Sequence, residues 1–152
     1  MSRADRAKEL FIQGYTCSQA VALAFCDVAD IDETQLSKIM LPFGGGMGRL
    51  RLTCGAVSGM AAMIGLLFAD KEISPENKKQ VYALTQKLCN EFKEEQGSLI
   101  CSELLQKMNV PVEVGGVAEA RTKEYYKKRS CADTVYCAAS ILEKYLKEIG
   151  RI

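Results

Sequence analysis

The feature that most constrains the fold is an apolar stretch near the middle of the chain, residues 56–69. Its side chains are apolar nearly all round a helix, so a helix formed here must be enclosed by neighbouring helices. The stretch is shorter than the roughly 20 residues that cross a bilayer, and the charged residues 70–72 follow it. We therefore predict a buried central helix over about residues 54–69 and no insertion into a membrane.

The rest of the chain also has the pattern of helices with local start and stop signals. Ser2 and Ser74 are suitable N-caps, and Thr16 with Gln19 fits a capping box. No alternating segment is long enough for a strand, and 152 residues are enough for one core but not for two. We predict an all-α, single-domain helical bundle over residues 1–152. Its expected helices span about residues 2–14, 16–28, 32–42, 54–69, 74–97, 99–108, 117–128 and 130–149.

Charge and the N-terminal composition exclude several kinds of partner. The formal net charge is +1, from 20 basic and 19 acidic residues, which gives no reason to expect nucleic acid or an anionic membrane as partner. Residues 1–9 are charged and have no apolar core of the kind found in signal peptides. We expect a cytoplasmic protein.

The chain contains 7 cysteines and 0 histidines. In a reducing compartment many cysteines are more often catalytic or metal-binding than a disulfide framework. The missing histidines exclude Cys-His and Ser-His pairs and His-ligated zinc, so chemistry must depend on thiols, carboxylates, amines, phenols or the backbone.

The cysteines divide into two classes by their expected position. Four are at or near predicted helix starts, where free N–H groups and the helix dipole favour a thiolate. The other three fall inside predicted helices among apolar neighbours and are expected to belong to the core. The first class is Cys17, Cys54, Cys101 and Cys131, and the second is Cys26, Cys89 and Cys137.

Cys54 has the most favourable surroundings for a nucleophile. Thr53 is a suitable N-cap, which puts Cys54 in the first helical turn, and Arg49 and Arg51 precede it. Both the dipole and the arginines favour the thiolate, so we expect the pKa of Cys54 to be lowered.

A glycine-rich loop precedes this cysteine. Gly44, Gly45 and Gly46 with Arg49 are candidate substrate-binding residues, because backbone N–H groups and a guanidinium suit a carboxylate, a phosphate or a small thiol substrate. The alternative is a tight connection between buried helices. The loop lacks the Lys-Ser/Thr ending of a P-loop, so nucleotide binding is not expected.

Four elements of the sequence occur together in a characteristic order. They are Gly14-Tyr15-Thr16-Cys17-Ser18-Gln19-Ala20-Val21, Phe43-Gly44-Gly45-Gly46-Met47-Gly48, the CGAxxG element Cys54-Gly55-Ala56-Val57-Ser58-Gly59, and single cysteines at Cys101 and Cys131. Together they resemble the C_GCAxxG_C_C family of redox-active proteins. The resemblance implies a small cytoplasmic protein with four signature cysteines, a redox role and a functional link to a transporter, since members are often encoded near transporter genes.

We favour thiol redox chemistry as the function, as in a thiol-disulfide oxidoreductase that requires no cofactor. Cys54 attacks a disulfide or an oxidant, and Cys17, Cys101 or Cys131 resolves the product as an intramolecular disulfide. The expected redox partner is a small thiol or a protein disulfide. The pairing is open, because four cysteines allow three full connectivities.

Two other interpretations remain open. The same four cysteines, Cys17, Cys54, Cys101 and Cys131, could bind a metal ion or an iron-sulfur cluster. The four cysteines are scattered singly along the chain with no C-x-x-C pair. This argues against a metal site, because structural zinc sites usually draw ligands from two close pairs. The other interpretation is a non-enzymatic helical interaction or sensor protein whose cysteines only fill the core.

Overall fold

Capping side chains start the helices where the sequence predicts. The Ser2 hydroxyl accepts a hydrogen bond from the N–H of Asp5 at 3.0 Å, and the Ser74 hydroxyl accepts one from Asn77 at 3.2 Å. Thr16 and Gln19 form the full capping box, since each side chain bonds the backbone N–H of the other. Local sequence therefore determines these starts directly.

The computed structural model describes residues 1–152 and is all-α, with nine helices and no strand. A 3₁₀ turn over Leu41–Phe43 and a glycine turn over Gly44–Met47 lead from the fourth helix towards the fifth. The helices are α1 Arg3–Ile12, α2 Cys17–Leu23, α3 Cys26–Ala29, α4 Glu33–Met40, α5 Gly55–Phe68, α6 Pro75–Gln96, α7 Cys101–Lys107, α8 Lys123–Lys128 and α9 Cys131–Glu148.

Helix α5 is the predicted central helix. It packs against α2, α6 and α9, while α1 packs along α9 and α2. Gly59 permits this close packing, because a Cβ there would be 2.6 Å from the carbonyl oxygen of Ser18 on α2. One face is less enclosed than expected, since Leu66 is 43% exposed and a Cβ on Gly65 would meet no neighbour. Gly65 is therefore not explained by close packing.

One hydrophobic cluster connects the helices around α5. The largest fully buried side chains include Phe11 from α1, Met60 from α5, Phe92 from α6 and Leu142 from α9. Cys137 is buried in this core as predicted, whereas Cys26 and Cys89 are only partly buried at its edge. None of the helices is long and apolar enough to span a bilayer.

Three predicted helix boundaries were wrong. The second helix ends at Leu23, and a separate short helix begins at Cys26. The helix predicted over residues 32–42 ends at Met40, and Pro42 lies in the 3₁₀ turn that follows, where proline at an early position costs no hydrogen bond.

The third boundary concerns the helix predicted over residues 117–128. Only residues 123–128 are helical, and residues 109–122 form an irregular segment that we call the strap. Gly115 and Gly116 have φ of +77° and +74°, a left-handed conformation that a helix does not contain. Val117 is 88% exposed and so contributes no buried face that would stabilise a helix here.

Candidate functional site: a cavity lined by four cysteines

The four cysteines predicted at helix starts are all found there. Cys17, Cys101 and Cys131 are the first residues of α2, α7 and α9, and Cys54 is the N-cap residue of α5. All four line a single cavity of about 320 Å³. All seven cysteines in the chain are free thiols in this structure.

Glycines allow the thiols to lie close together. A Cβ on Gly55 would overlap the sulfur of Cys17, which places the first residue of α5 directly against that sulfur. A Cβ on Gly46 would be 2.6 Å from the Cβ of Cys101. The glycine turn and the start of α5 therefore pack against the starts of α2 and α7.

A short backbone pairing aligns the chain before α5 with the chain before α7. Thr53 and Ile100 form an isolated antiparallel bridge, and the N–H of Cys54 donates to the carbonyl of Leu99 at 2.8 Å. The N–H of Cys101 donates to the carbonyl of Leu52 at 2.6 Å. Thr53 is thus held in paired backbone, so the prediction that it caps the helix was wrong and Cys54 occupies the N-cap position instead.

The pKa of Cys54 is shifted in the direction opposite to our expectation. Burial raises the pKa of Cys54 well above its ordinary value, and charge on Cys17 raises it further, while the N–H groups of Ala56 and Val57 partly oppose the shift. Cys54 is only 6% exposed. At this depth desolvation of the thiolate outweighs the favourable start of the helix.

The pKa values of Cys17 and Cys131 are raised as well, by burial and by charge on neighbouring cavity cysteines. Burial raises the pKa of Cys17, and charge on Cys101 contributes to the rise, while the N–H of Gly45 opposes it. Burial raises the pKa of Cys131 to about 12, with further contributions from charge on Cys17 and Cys101. Cys17 is therefore electrostatically coupled to each of the other three thiols.

Arg51 extends to Cys101 rather than to Cys54. Its Nη1 lies 3.8 Å from the sulfur of Cys101, and its Nε donates to the carbonyl of Glu113 at 2.9 Å. The residue is only 5% exposed, and its backbone is left-handed with φ of +62°. Such backbone is uncommon for a residue other than glycine, and it directs this guanidinium into the cavity wall.

Arg49, predicted to bind substrate, also lines the cavity, but its guanidinium contacts the strap. Its Nε donates to the carbonyl of Gly115 at 3.0 Å, and its Nη2 lies 3.6 Å from a carboxylate oxygen of Glu113. The substrate-binding role of Arg49 stays a prediction.

The three glycines predicted to bind substrate differ in whether they line the cavity. Gly44 and Gly45 line the cavity, whereas Gly46 does not. A Cβ on Gly44 would be 2.7 Å from the Cβ of Thr16, and one on Gly46 would be 2.7 Å from the N–H nitrogen of Leu52. Close packing thus accounts for Gly44 and Gly46, and their predicted role in substrate binding remains untested.

Sequence reasoning missed the residues contributed by the strap and α8. Arg121 lies over the ring of Phe11 at 4.4 Å and that of Tyr125 at 4.9 Å, and it donates to the carbonyl of Tyr15 at 3.2 Å. Glu119 pairs with Arg129 at 2.7 Å, and both line the cavity. No local motif predicts the position of Arg121, because its hydrogen bonds to Phe11 and Tyr15 join residues more than 100 positions apart.

The structure gives no particular support to the metal alternative. No group of three or more His, Cys, Asp or Glu side chains is arranged to hold a metal ion. Binding of a metal or an iron-sulfur cluster by Cys17, Cys54, Cys101 and Cys131 stays an untested prediction.

The fold and site define a class: a small all-α protein in which four cysteines at helix starts share one cavity. The model of one protein family, described as "Putative redox-active protein (C_GCAxxG_C_C)", matches residues 15–145. The chain belongs to this family, and the match includes all four cavity cysteines. No curated protein and no solved structure matched the chain.

Proposed function

We propose that this protein is a thiol-disulfide redox protein that cycles two cavity cysteines between thiols and a disulfide. The observation that carries the proposal is the cavity itself, which is lined by all four cysteines that the sequence predicted at helix starts. Exchange between thiols and disulfides requires a thiolate and a second thiol near it, and the cavity brings four thiols to one place. Membership of a family described as redox-active supports the same conclusion.

The surroundings favour Cys101, rather than Cys54, as the attacking thiol. Burial raises the pKa of Cys54, Cys17 and Cys131, so at neutral pH these three thiols hold their protons. Cys101 is less buried than Cys54 and has the guanidinium of Arg51 beside its sulfur. A nearby cation stabilises a thiolate, which is the nucleophilic form of cysteine.

Cys17 is the best candidate for the resolving thiol. It lines the cavity, and charge on Cys101 contributes to its raised pKa, so the two sulfurs are close enough to interact. Burial raises the pKa of Cys17, and the N–H groups of Gly45 and Ser18 oppose that rise and so offset part of the cost of a transient thiolate there.

The reaction then proceeds in two exchanges. The Cys101 thiolate attacks one sulfur of a substrate disulfide, a mixed disulfide forms, and the first substrate thiolate leaves and takes up a proton. Cys17 loses its proton to water and attacks the sulfur of Cys101, which releases the second substrate thiolate. Two protein thiols are oxidised by two electrons, and one substrate disulfide is reduced to two thiols.

Oxidation of the reduced protein by hydroxyethyl disulfide tests this proposal. We expect two thiols to be released per protein and an intramolecular disulfide to be seen in the intact mass. Cys101→Ser should prevent the reaction, and Cys17→Ser should arrest it as a mixed disulfide on Cys101. Cys89→Ser is the matched control, since Cys89 does not line the cavity, and it should react as the wild type does. A wild-type protein whose cavity thiols do not react would contradict the proposal.

A further inference from the structure

The charged residues of the cavity are predominantly basic. Four arginines and one glutamate line it, in a chain whose overall net charge is only +1. The positive charge is therefore concentrated at the thiols rather than spread over the surface. These residues are Arg49, Arg51, Arg121, Arg129 and Glu119.

Two of the arginines have no carboxylate to neutralise them. Arg49 is 3.6 Å from Glu113 and Arg129 is 2.7 Å from Glu119, so each has an ionic partner. Arg51 and Arg121 donate to backbone carbonyls and form no salt bridge. Arg51 is also buried, and a buried charge without a carboxylate partner is costly, so a bound anion would offset that cost.

The size of the cavity favours a small molecule, rather than a protein, as the substrate. Its volume of about 320 Å³ lies at the low end of the range for small-molecule sites, roughly 300–1,000 Å³. The strap is anchored beside it through the contacts of Arg49 with Gly115 and of Arg51 with Glu113. Phe11 and Leu104 add apolar surface to the lining. A folded protein partner does not fit into such a space, whereas a short organic molecule with an anionic end does.

We propose that the substrate is a small anionic disulfide, of the carboxylate-bearing kind, attracted to the cavity by Arg51 and Arg121. This inference rests on the proposed redox function and adds the charge and size of the substrate. A planar guanidinium binds a carboxylate through two parallel hydrogen bonds, and Arg51 is also next to the sulfur that attacks. The same residue therefore aligns the anion and the thiolate. The bonds that form and break, and the two electrons transferred, are those of the two thiol-disulfide exchanges of the proposed function.

Three disulfides of similar size and different charge test the proposal: dithiodipropionate, hydroxyethyl disulfide and cystamine, which are anionic, neutral and cationic. The measured quantity is the rate of cavity-thiol oxidation by each, divided by its rate with mercaptoethanol, which corrects for intrinsic reactivity. We expect the corrected rate for the anion to exceed that for the cation at least about tenfold at low salt, and the difference to shrink as salt is added. Equal corrected rates, or a preference for the cation, would overturn the proposal.

Two variants, each with a control, test whether the preference for the anionic disulfide arises in the cavity. Arg51→Gln should reduce the preference for the anion, whereas Arg6→Gln, at an exposed position outside the cavity, should not. Glu119→Gln provides a second test if Arg51→Gln does not fold. It removes the carboxylate that neutralises Arg129 and should increase the corrected rate for the anion, while Glu94→Gln on α6 should leave it unchanged. An anion rate that Glu119→Gln does not increase would overturn the proposal.

The outcomes also separate this inference from the redox function. If none of the three disulfides oxidises the cavity thiols, the redox function itself fails. If all three do so without a preference for the anion, the redox function stands and the anionic substrate is rejected.

Discussion

Gly55, the first residue of α5, lies against the sulfur of Cys17 with no room for a Cβ between them. The carbonyl of Phe43 is also close, at 2.9 Å from where that Cβ would be. The most central helix of the fold therefore directly supports one wall of the thiol cavity. A change at Gly55 must disturb either the packing of α5 on α2 or the position of the thiol.

We predict that Gly55→Ala lowers the free energy of unfolding by about 1–3 kcal/mol, because the added methyl group overpacks the site. Urea denaturation would measure the loss. Gly65→Ala is a matched control in the same helix, where a Cβ would meet no neighbour. It should raise the free energy of unfolding by about 0.5–1 kcal/mol, because alanine is the better helix former. Equal effects of the two variants would refute the packing argument.

Arg51→Gln is expected to slow alkylation of Cys101 by iodoacetamide at neutral pH by about tenfold. The variant removes the guanidinium 3.8 Å from that sulfur, and a charged hydrogen bond contributes about 1.5–3 kcal/mol. Peptide-level mass spectrometry after timed labelling gives the rate for each cysteine. Arg6→Gln serves as the control with the same loss of charge. An unchanged rate at Cys101 in a folded Arg51→Gln protein would show that Arg51 does not activate it.

The raised pKa of Cys131 predicts a loss of stability in alkali. Burial raises this pKa from 9.0 to about 12, so between these values the folded protein keeps a proton that the unfolded chain releases. Unfolding then releases a proton and becomes more favourable as pH rises. The stabilisation is complete below about pH 9 and is lost progressively towards about pH 12.

Cys131→Ser isolates this contribution, because serine does not titrate in this range. From about pH 9 to about pH 10 the free energy of unfolding should fall by about 1 kcal/mol more in the wild type than in Cys131→Ser. Urea denaturation of both proteins at each pH would measure the difference. Parallel curves would mean that Cys131 titrates alike in the folded and unfolded states.

Arg121 is expected to hold the strap in place over α1. It lies 4.4 Å from the Phe11 ring and donates to the carbonyls of Phe11 and Tyr15, both at 3.2 Å. We predict that Arg121→Gln lowers the free energy of unfolding by about 1–3 kcal/mol and makes the cavity thiols more accessible to bulky reagents. Comparing labelling by a bulky maleimide with labelling by N-ethylmaleimide measures this access. The ratio should rise in Arg121→Gln and less so in Arg121→Lys; an identical ratio in all three proteins would exclude this role.

The position of Cys17 could be predicted because it depends on a local signal. Thr16 and Gln19 are three residues apart, and their capping box places Cys17 at the first position of α2. No side-chain cap begins α5, α7 or α9, so no capping hydrogen bond explains the positions of Cys54, Cys101 and Cys131. The contact of Arg51 with Cys101 joins residues 50 positions apart, which no local pattern specifies.

The direction of the pKa shift at Cys54 illustrates the same limit. The sequence contains both the helix start and two preceding arginines, and each favours a thiolate. Whether these two effects lower the pKa of Cys54 depends on how deeply its sulfur is buried and on which groups the two guanidinium groups contact. In the structure Cys54 is buried, Arg49 contacts Glu113 and Arg51 contacts Cys101, so desolvation dominates.

The most direct test of the central claim is to map the disulfide that forms when the reduced protein is oxidised by one equivalent of hydroxyethyl disulfide. Digestion after alkylation of the remaining thiols, followed by mass spectrometry, identifies the bonded pair. We predict a bond between Cys101 and Cys17, with Cys26, Cys89 and Cys137 recovered as alkylated thiols. A bond that includes one of those three, or four cavity cysteines that all remain thiols, would contradict it.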